Sequence, residues 1–334
     1  MRLASQRLTP ETAAADALEA ARAVVGIQAQ DLRAMGLALR SRVPGLERAA
    51  IIEHPELVRT WTVRGTVHLV AADDLPWLHA LTGPRNARRF ELLIAKRGNL
   101  EHARSILSDL VATLEREGPL SRAALLERLA QRGHPSLGPS SVNVLMPWVA
   151  AQGLIAGLPD GRFRAAEPPP PVEEDEALAV LAARYLAGYG PAGAADLAKW
   201  SGLPVSSARR ALEAAGERER SIELLALPGT FEAEPPEAPP ALLLAPFDTS
   251  MLGWRTREPL VAAGRDERVL PGGGIVKAVL LTRGRAAATW RVEGSGRRRR
   301  LVLDRFGRPA PAGALRAEAD DVARFLEIEL SPAT

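Results

Sequence analysis

The sequence predicts an α+β protein with three tandem winged-helix units followed by a β-rich C-terminal domain. Three observations lead there. Helical periodicity dominates the first two-thirds of the chain, and each helical run ends in short strand-like segments. "GPLSRAALLERL" and "GPAGAADLAKWSGL" occupy corresponding places in successive runs, so the unit repeats. After "EAEPPEAPPA" the pattern changes to alternating segments punctuated by hairpin turns.

The first unit, residues 1–100, should carry helices within 12–40, a short helix near 51–58, and strands through "TWTVRGTVHLVA". In the second, 101–166, a helix ends at Gly118-Pro119, Ser121 caps the next and Pro139-Ser140 opens a third. "LIAGLPDGRFRAA" then reads as two strands around a Pro-Asp-Gly turn. Residues 167–238 hold the linker "EPPPPVEEDE" and the third unit: helix, Gly190-Pro191, helix, a turn at Gly202 and Pro204, helix, and strand-like "SIELLAL". Residues 239–334 read as a β-rich domain, a partial barrel with turns at Arg283-Gly284 and Gly294-Ser295-Gly296 and a closing helix over 312–326.

Composition narrows the function. At 334 residues there is room for two or more domains of about 100–200 residues each. Aromatics are 4%, so the cores must be built mainly from Ala, Leu and Val. The absence of cysteine excludes disulfides, thiolate nucleophiles and cysteine-ligated metal. No apolar run is long enough to span a bilayer and no signal-peptide pattern opens the chain, so a cytoplasmic protein without membrane association is expected. The net charge is only +3, yet the pI is about 9.7 and nearly all the basic residues are arginine. From Arg283 to Arg308 there are nine arginines, including Arg297, Arg298, Arg299 and Arg300 in succession, against only Glu293 and Asp304. Clustered arginine marks either a polyanion partner or a solvated face.

Two stretches carry candidate chemistry. In "VVGIQAQDLRAM", Gln28 falls on an apolar helical stripe. On a continuous helix Gln30 would point about 200° away from it. The two amides converge only if the backbone breaks, and Gly26 permits a break. In "ELVRTWTVRGTVHLVAADD", strand alternation would set Trp61, Val63, Gly65 and Val67 on one face and Thr62, Arg64, Thr66 and His68 on the other. With Arg59 beside it, that polar face is a donor-rich ribbon suited to phosphate or base contacts.

These stretches, together with "YGPAGAADLAKWSGL", "APFDTSMLGWRTR" and "GGGIVKAVLLTRGRAAATWR", resemble the AlkZ/YcaQ superfamily of winged-helix DNA glycosylases, in family order over nearly the whole chain. The resemblance implies removal of N-alkylated purines from double-stranded DNA, unhooking of interstrand crosslinks in some members, and self-resistance as a biological setting. Gln28-Ala29-Gln30 matches the Gln–aliphatic–Gln catalytic signature of the AlkZ branch. Many relatives have proline after the following aspartate, where this chain has Leu32. Asp31 is a rival to Gln30, because a carboxylate orients water more forcefully than an amide does. Arg59, Trp61, Arg64, Thr66, His68, Arg291 and the four arginines Arg297, Arg298, Arg299 and Arg300 are the expected DNA contacts.

No cofactor and no metal are expected: the histidines lack ligand spacing, and there is no phosphate loop or dinucleotide fingerprint. "LPGGGIVKAVLL" imitates the glycine-rich turn of helix-hairpin-helix glycosylases, but the residues after it alternate as strands. No lysine is placed as a Schiff-base nucleophile, so a monofunctional glycosylase acting as a monomer is expected. The alternative is a non-enzymatic winged-helix regulator. Such proteins usually carry one winged helix and a dimerisation domain, whereas this chain has three and no coiled-coil heptads.

Overall fold

The computed structural model describes residues 1–334 except 97–99, 135–138, 216–218, 222–223 and 332–334. It begins with α1 (Arg2–Ser5) and a 3-10 turn, Pro10–Thr12. α2 (Ala17–Ala23) follows, its N-terminus capped where the Asp16 side chain accepts from Glu19 N. The helices expected within 12–40 are two, with the interruption near Gly26 that the motif requires: α2 stops at residue 23. Gly26 N donates to Ala21 O at 2.8 Å and Val25 N to Arg22 O at 3.2 Å, the paired bonds of a Schellman ending.

Val25 (φ 55°) and Gly26 (φ 100°) both take left-handed backbone. A Cβ at residue 26 would sit 2.8 Å from Val70 Cγ1 and 3.3 Å from Leu69 O, so glycine is required twice over. The chain then runs extended as β1 (Ile27–Gln28) and restarts as α3 (Leu32–Arg40), capped by Asp31.

α4 (Arg48–Ile52) lies earlier than the helix expected over 51–58, because Leu57 onward is drawn into the sheet. β2 (Leu57–Trp61) pairs antiparallel with β3 (Val67–Ala71). Between them Val63–Gly65 form a 3-10 turn with Arg64 at φ 57°, so the alternation expected through residues 61–68 does not persist. α5 (Leu75–Ala95), α6 (Leu100–Glu117), α7 (Arg122–Gln131) and α8 (Pro139–Ala151) lead to the hairpin of β4 (Ile155–Gly157) and β5 (Phe163–Ala165). Ser121 caps α7 through Ala124 N, as its position before the helix predicts. The five strands form one sheet in the order β1-β3-β2-β4-β5, so the hairpins of the first two units are joined.

α9 (Glu174–Tyr189), α10 (Ala194–Ser201) and α11 (Val205–Ala214) follow, then the small ladder of β6 (Glu219–Ser221) and β7 (Leu224–Ala226). The remainder comprises β8 (Leu242–Leu244), α12 (Thr249–Leu252), α13 (Asp266–Val269), β9 (Val279–Thr282), β10 (Arg285–Glu293), β11 (Arg298–Arg305), α14 (Ala312–Leu326) and β12 (Glu329–Ser331). Its strands form a second five-stranded sheet, β12-β11-β10-β9-β8. That sheet is open, with β12 and β8 at its edges, and the chain continues beyond the expected helix into β12, parallel to β11. Arg283 (φ 47°) and Gly284 (φ 76°) make the two-residue turn that hairpin twist favours.

One hydrophobic core runs from Leu18 and Val25 of the first unit through Tyr185 and Trp200 of the third to Trp290 and Phe325 of the last. α9 approaches the end of α2 so closely that a Cβ on Gly188 would collide with Ala23 O, and Tyr189 Oη donates to Val24 O at 2.7 Å. The break in the helix is thus clamped from outside.

Gly26→Ala should lower stability by about 2 kcal/mol or more, adding a left-handed Cβ penalty to a steric clash. Thermal or urea unfolding checks this. A variant as stable as the wild type would mean the backbone break is not enforced at this residue.

Candidate active site

The break at residues 24–26 does what a continuous helix could not. Gln28 Nε2 donates to Gln30 Oε1 at 2.7 Å. Gln28 is buried on β1, directly across the ladder from His68, and Gln30 is exposed at the strand's end. The residue between them is held on both sides. Ala29 N donates to Val67 O at 2.8 Å, and Ala29 O accepts from Arg59 Nη1 at 3.4 Å. Asp31 is turned back on its own helix, its Oδ1 accepting from Arg33 N at 2.8 Å and Ala34 N at 2.9 Å. Gln28 Oε1 and Gln30 Nε2 have no hydrogen-bond partner among the described residues.

The expected donor ribbon is corrected for two of its members. Arg59 is buried, spending its guanidinium on Ala29 O and on Gly161 O at 3.1 Å, with its Cζ 5.2 Å from the Phe163 ring centroid. His68 is 3% exposed. Its Nδ1 lies 3.0 Å from both Thr62 Oγ1 and Thr66 O. A carbonyl only accepts, so Nδ1 must carry the proton. Burial, with the nearby Arg64 charge second, pushes the imidazole pKa down to about 3, and the ring is neutral. The reason for both corrections is that the strands carrying these residues are interior to the five-stranded sheet.

Three further ribbon residues are engaged within the protein. Trp61 stacks on Phe163 at 6.2 Å, and Thr66 Oγ1 donates to Val63 O at 3.2 Å. Arg64 is half-buried and donates to Trp200 O at the end of α10, joining the first unit to the third. Arg85 and Arg89 of α5 reinforce that junction through Gly202 O and Arg64 O.

Two arginines of the C-terminal hairpin reach the start of α3, just past the glutamines, without lining the same cavity as either amide. A cavity of about 200 Å³ is lined by Asp31, Arg33, Trp290, Arg291 and Val292 among others. A larger one of about 410 Å³ is lined by Leu32, Arg33, Arg48, Asp160 and Arg299, with an apolar floor. The arginine run therefore divides. Arg298 pairs with Glu329 at 3.3 Å and Arg300 with Glu293 at 2.8 Å, Arg297 is exposed, and Arg299 faces the larger cavity. Arg291 also pairs with Glu293, through Nε at 2.7 Å. Sequence reasoning missed Arg33 and Arg48. Arg33 lies three residues past Gln30 and could have been found by extending the motif. Arg48 is distant in sequence and carries no local signal.

The sequence model of the AlkZ-like family, described as "DNA glycosylase AlkZ-like", matches residues 21–325. A search of curated proteins returned no match. Among solved structures, the Streptomyces sahachiroi DNA glycosylase AlkZ aligns over 100% of this chain and 96% of its own, with a TM-score of 0.79 and 21% sequence identity. At that identity the likeness is one of fold.

His68 should make stability depend on pH. The folded ring refuses a proton that the unfolded chain accepts below about pH 6.5. Its contribution is complete above that pH and is lost as pH falls toward the folded value, by up to ~1.4 kcal/mol per pH unit. Thermal melts at pH 7.5 and 5.5 should show a larger drop for the wild type than for His68→Gln. Equal drops would show that His68 is not held neutral.

Proposed function

Because this chain belongs to the AlkZ-like DNA glycosylase family, and so acts as a hydrolase of N-glycosyl bonds in DNA, we propose that it excises N-alkylated purines of the N7-alkylguanine type, with Gln28 and Gln30 holding the attacking water. The observation that carries this reading is the hydrogen bond between the two amides in the extended segment that follows the break in the helix. That bond uses one Gln28 N–H and fixes both side chains. It leaves a carbonyl oxygen on Gln28 and an amide N–H on Gln30 free to engage a third group, and both are neutral.

Neutral groups suit such a substrate. Alkylation at N7 makes guanine cationic, so cleavage of the glycosidic bond removes the charge from the base and requires little acid assistance. The demand falls on the sugar, which becomes oxocarbenium-like, and on a water that must reach C1′. Gln28 Oε1 accepts from that water and orients it, and the amide dipoles stabilise positive charge developing on the sugar. Asp31 is less free for the role, since its Oδ1 already caps α3 through two backbone N–H groups. The arginines nearby, Arg33 and Arg291, suit phosphates better than a cationic base. Without a Schiff-base lysine the product is an abasic site, and crosslinked duplex is the demanding variant of the same substrate.

Single-turnover excision from an N7-methylguanine duplex tests the assignment. Gln28→Ala and Gln30→Ala should each lose about 10²–10³ in rate with duplex affinity largely kept. The double variant should be little slower than the slower single, as both amides serve one water. Asp31→Asn preserves the helix cap, so loss of excision in that variant alone would transfer the role to the carboxylate. Absence of free base with wild-type protein would leave a non-catalytic duplex binder.

A further inference from the structure

The larger cavity beside the motif is absorbed neither by the water-positioning proposal nor by the general basic character of the hairpin. It lies between α3, α4, the β4–β5 turn, β11 and α14, and its volume is about 410 Å³. Its floor is apolar, formed by Met35, Ile51 and Phe325. Arg33 of α3, Arg48 of α4 and Arg299 of β11 converge on it from three separate elements.

These cations are placed against the stability of the free protein. Arg33 sits in the first turn of α3, where the helix dipole disfavours positive charge. Arg33 and Arg48 have no ion-pair partner among the described residues, and Arg299 uses only Nε, on Gly296 O at 2.9 Å. The carboxylates nearby are committed elsewhere. Asp31 caps α3, Asp160 pairs with Arg162 at 2.6 Å, and Glu47 pairs with Arg324 at 3.0 Å. Burial first, then the Arg299 and Arg48 charges, push the Arg33 guanidinium below its usual range, with Asp31 pulling the other way. Arg33 and Arg48 are solvent-exposed and Arg299 is half-buried. The three like charges therefore attract an anion through their summed field at the mouth of an apolar-floored cavity, and salt screens that attraction.

We propose that Arg33, Arg48 and Arg299 form a single cradle for one backbone phosphate of the DNA strand whose base is presented to Gln28 and Gln30. The inference rests on the glycosylase reading for the identity of the strand. The occupant is DNA because Leu32 and Arg33, which line the cavity, follow Gln30 by two and three residues, so a phosphodiester there lies beside the reacting nucleotide. Two exposed apolar side chains at the cavity, Leu32 and Ile52, at 38% and 44% exposure, give the adjoining sugar a surface to rest on.

Salt dependence distinguishes one shared phosphate from several separate ones. The log–log slope of duplex affinity against salt falls by about 0.9 for each phosphate that the protein no longer neutralises. Binding to undamaged duplex would be measured by fluorescence anisotropy between 50 and 200 mM KCl. The triple variant Arg33→Ala, Arg48→Ala, Arg299→Ala should flatten the slope by about 0.9, with each single variant giving part of the same decrease. An unchanged slope would overturn the cradle, and so would a decrease near 2.7, about 0.9 for each of three independent phosphates. If the triple alanine variant does not fold, the corresponding glutamine variants keep the side-chain length and polarity and remove only the charge. Excision of N7-methylguanine is scored separately. The expected slope change with no base released upholds the cradle and fails the glycosylase reading; base release with an unchanged slope fails the cradle alone.

Discussion

The ion pair between Arg42 and Asp248 holds the site's supporting helix in place. Both side chains are fully buried, with Nη1 2.8 Å from Oδ2 and Nη2 3.0 Å from Oδ1. Moving two charges out of water costs several kcal/mol for each ion, and their attraction offsets this only where the remaining donors and acceptors are satisfied. Here Arg42 also donates to Ala38 O, Thr249 Oγ1 and Gln6 Oε1, and Ser250 gives Asp248 both a backbone and a hydroxyl hydrogen bond, so of the pair's polar atoms only the Arg42 Nε is buried without a partner. Burial raises the Asp248 carboxyl, but the Arg42 charge and these hydrogen bonds outweigh it, so its pKa lies below the usual range. The geometry fixes the C-terminal end of α3 against the loop after β8. Arg40 adds a second anchorage, to Asp321 and Glu318 of α14 and to Leu243 O.

What is anchored at one end of α3 is presented at the other. The helix begins at Asp31, immediately after the two glutamines, so the ion pair that orients α3 also orients the motif. It brings in the C-terminal sheet as well, because Trp290 and Arg291 of β10 and Arg299 of β11 line the cavities against the start of α3. A site assembled from residues 28–48 and 290–299 therefore depends on an ion pair buried away from both glutamines. The remaining support comes from α9, which packs against the end of α2 and satisfies Val24 O through Tyr189. Val25 holds a left-handed conformation that a β-branched residue rarely takes, and such strain persists only where its surroundings over-determine it. Tyr189 and the β3 ladder supply those surroundings.

Charge at the site is ordered by depth. Below the motif, Arg59 and neutral His68 are spent on internal hydrogen bonds and stabilise its backbone. At its edge, Arg33, Arg48 and Arg299 are left without a carboxylate of their own among the described residues. Farther out, Arg298 and Arg300 are paired with glutamates, which lowers the unspecific attraction of the arginine run.

Local sequence patterns were enough for the elements whose causes are local. The Ser121 cap, the turn at Arg283-Gly284, the helix Ala312–Leu326 and the capacity of Gly26 to break a helix were all legible, because each is decided by residues within about a turn of one another. The family resemblance rested on segments legible in the same way. The ribbon of residues 59–68 departs from its expected alternation because alternation describes a continuous strand, and the left-handed Arg64 interrupts it. Burial of Arg59 and His68 could not be read from their own neighbourhood, since it comes from β1 and β4 closing over the hairpin from either side. The convergence of Gln28 with Gln30 follows locally once the chain runs extended after Gly26, since residues two apart then share a face. The pairing of Arg42 with Asp248 and the meeting of Arg33, Arg48 and Arg299 were instead decided by tertiary structure alone. Sequence periodicity relates residues a few positions apart, whereas these contacts depend on how separately formed helices and sheets pack into one core.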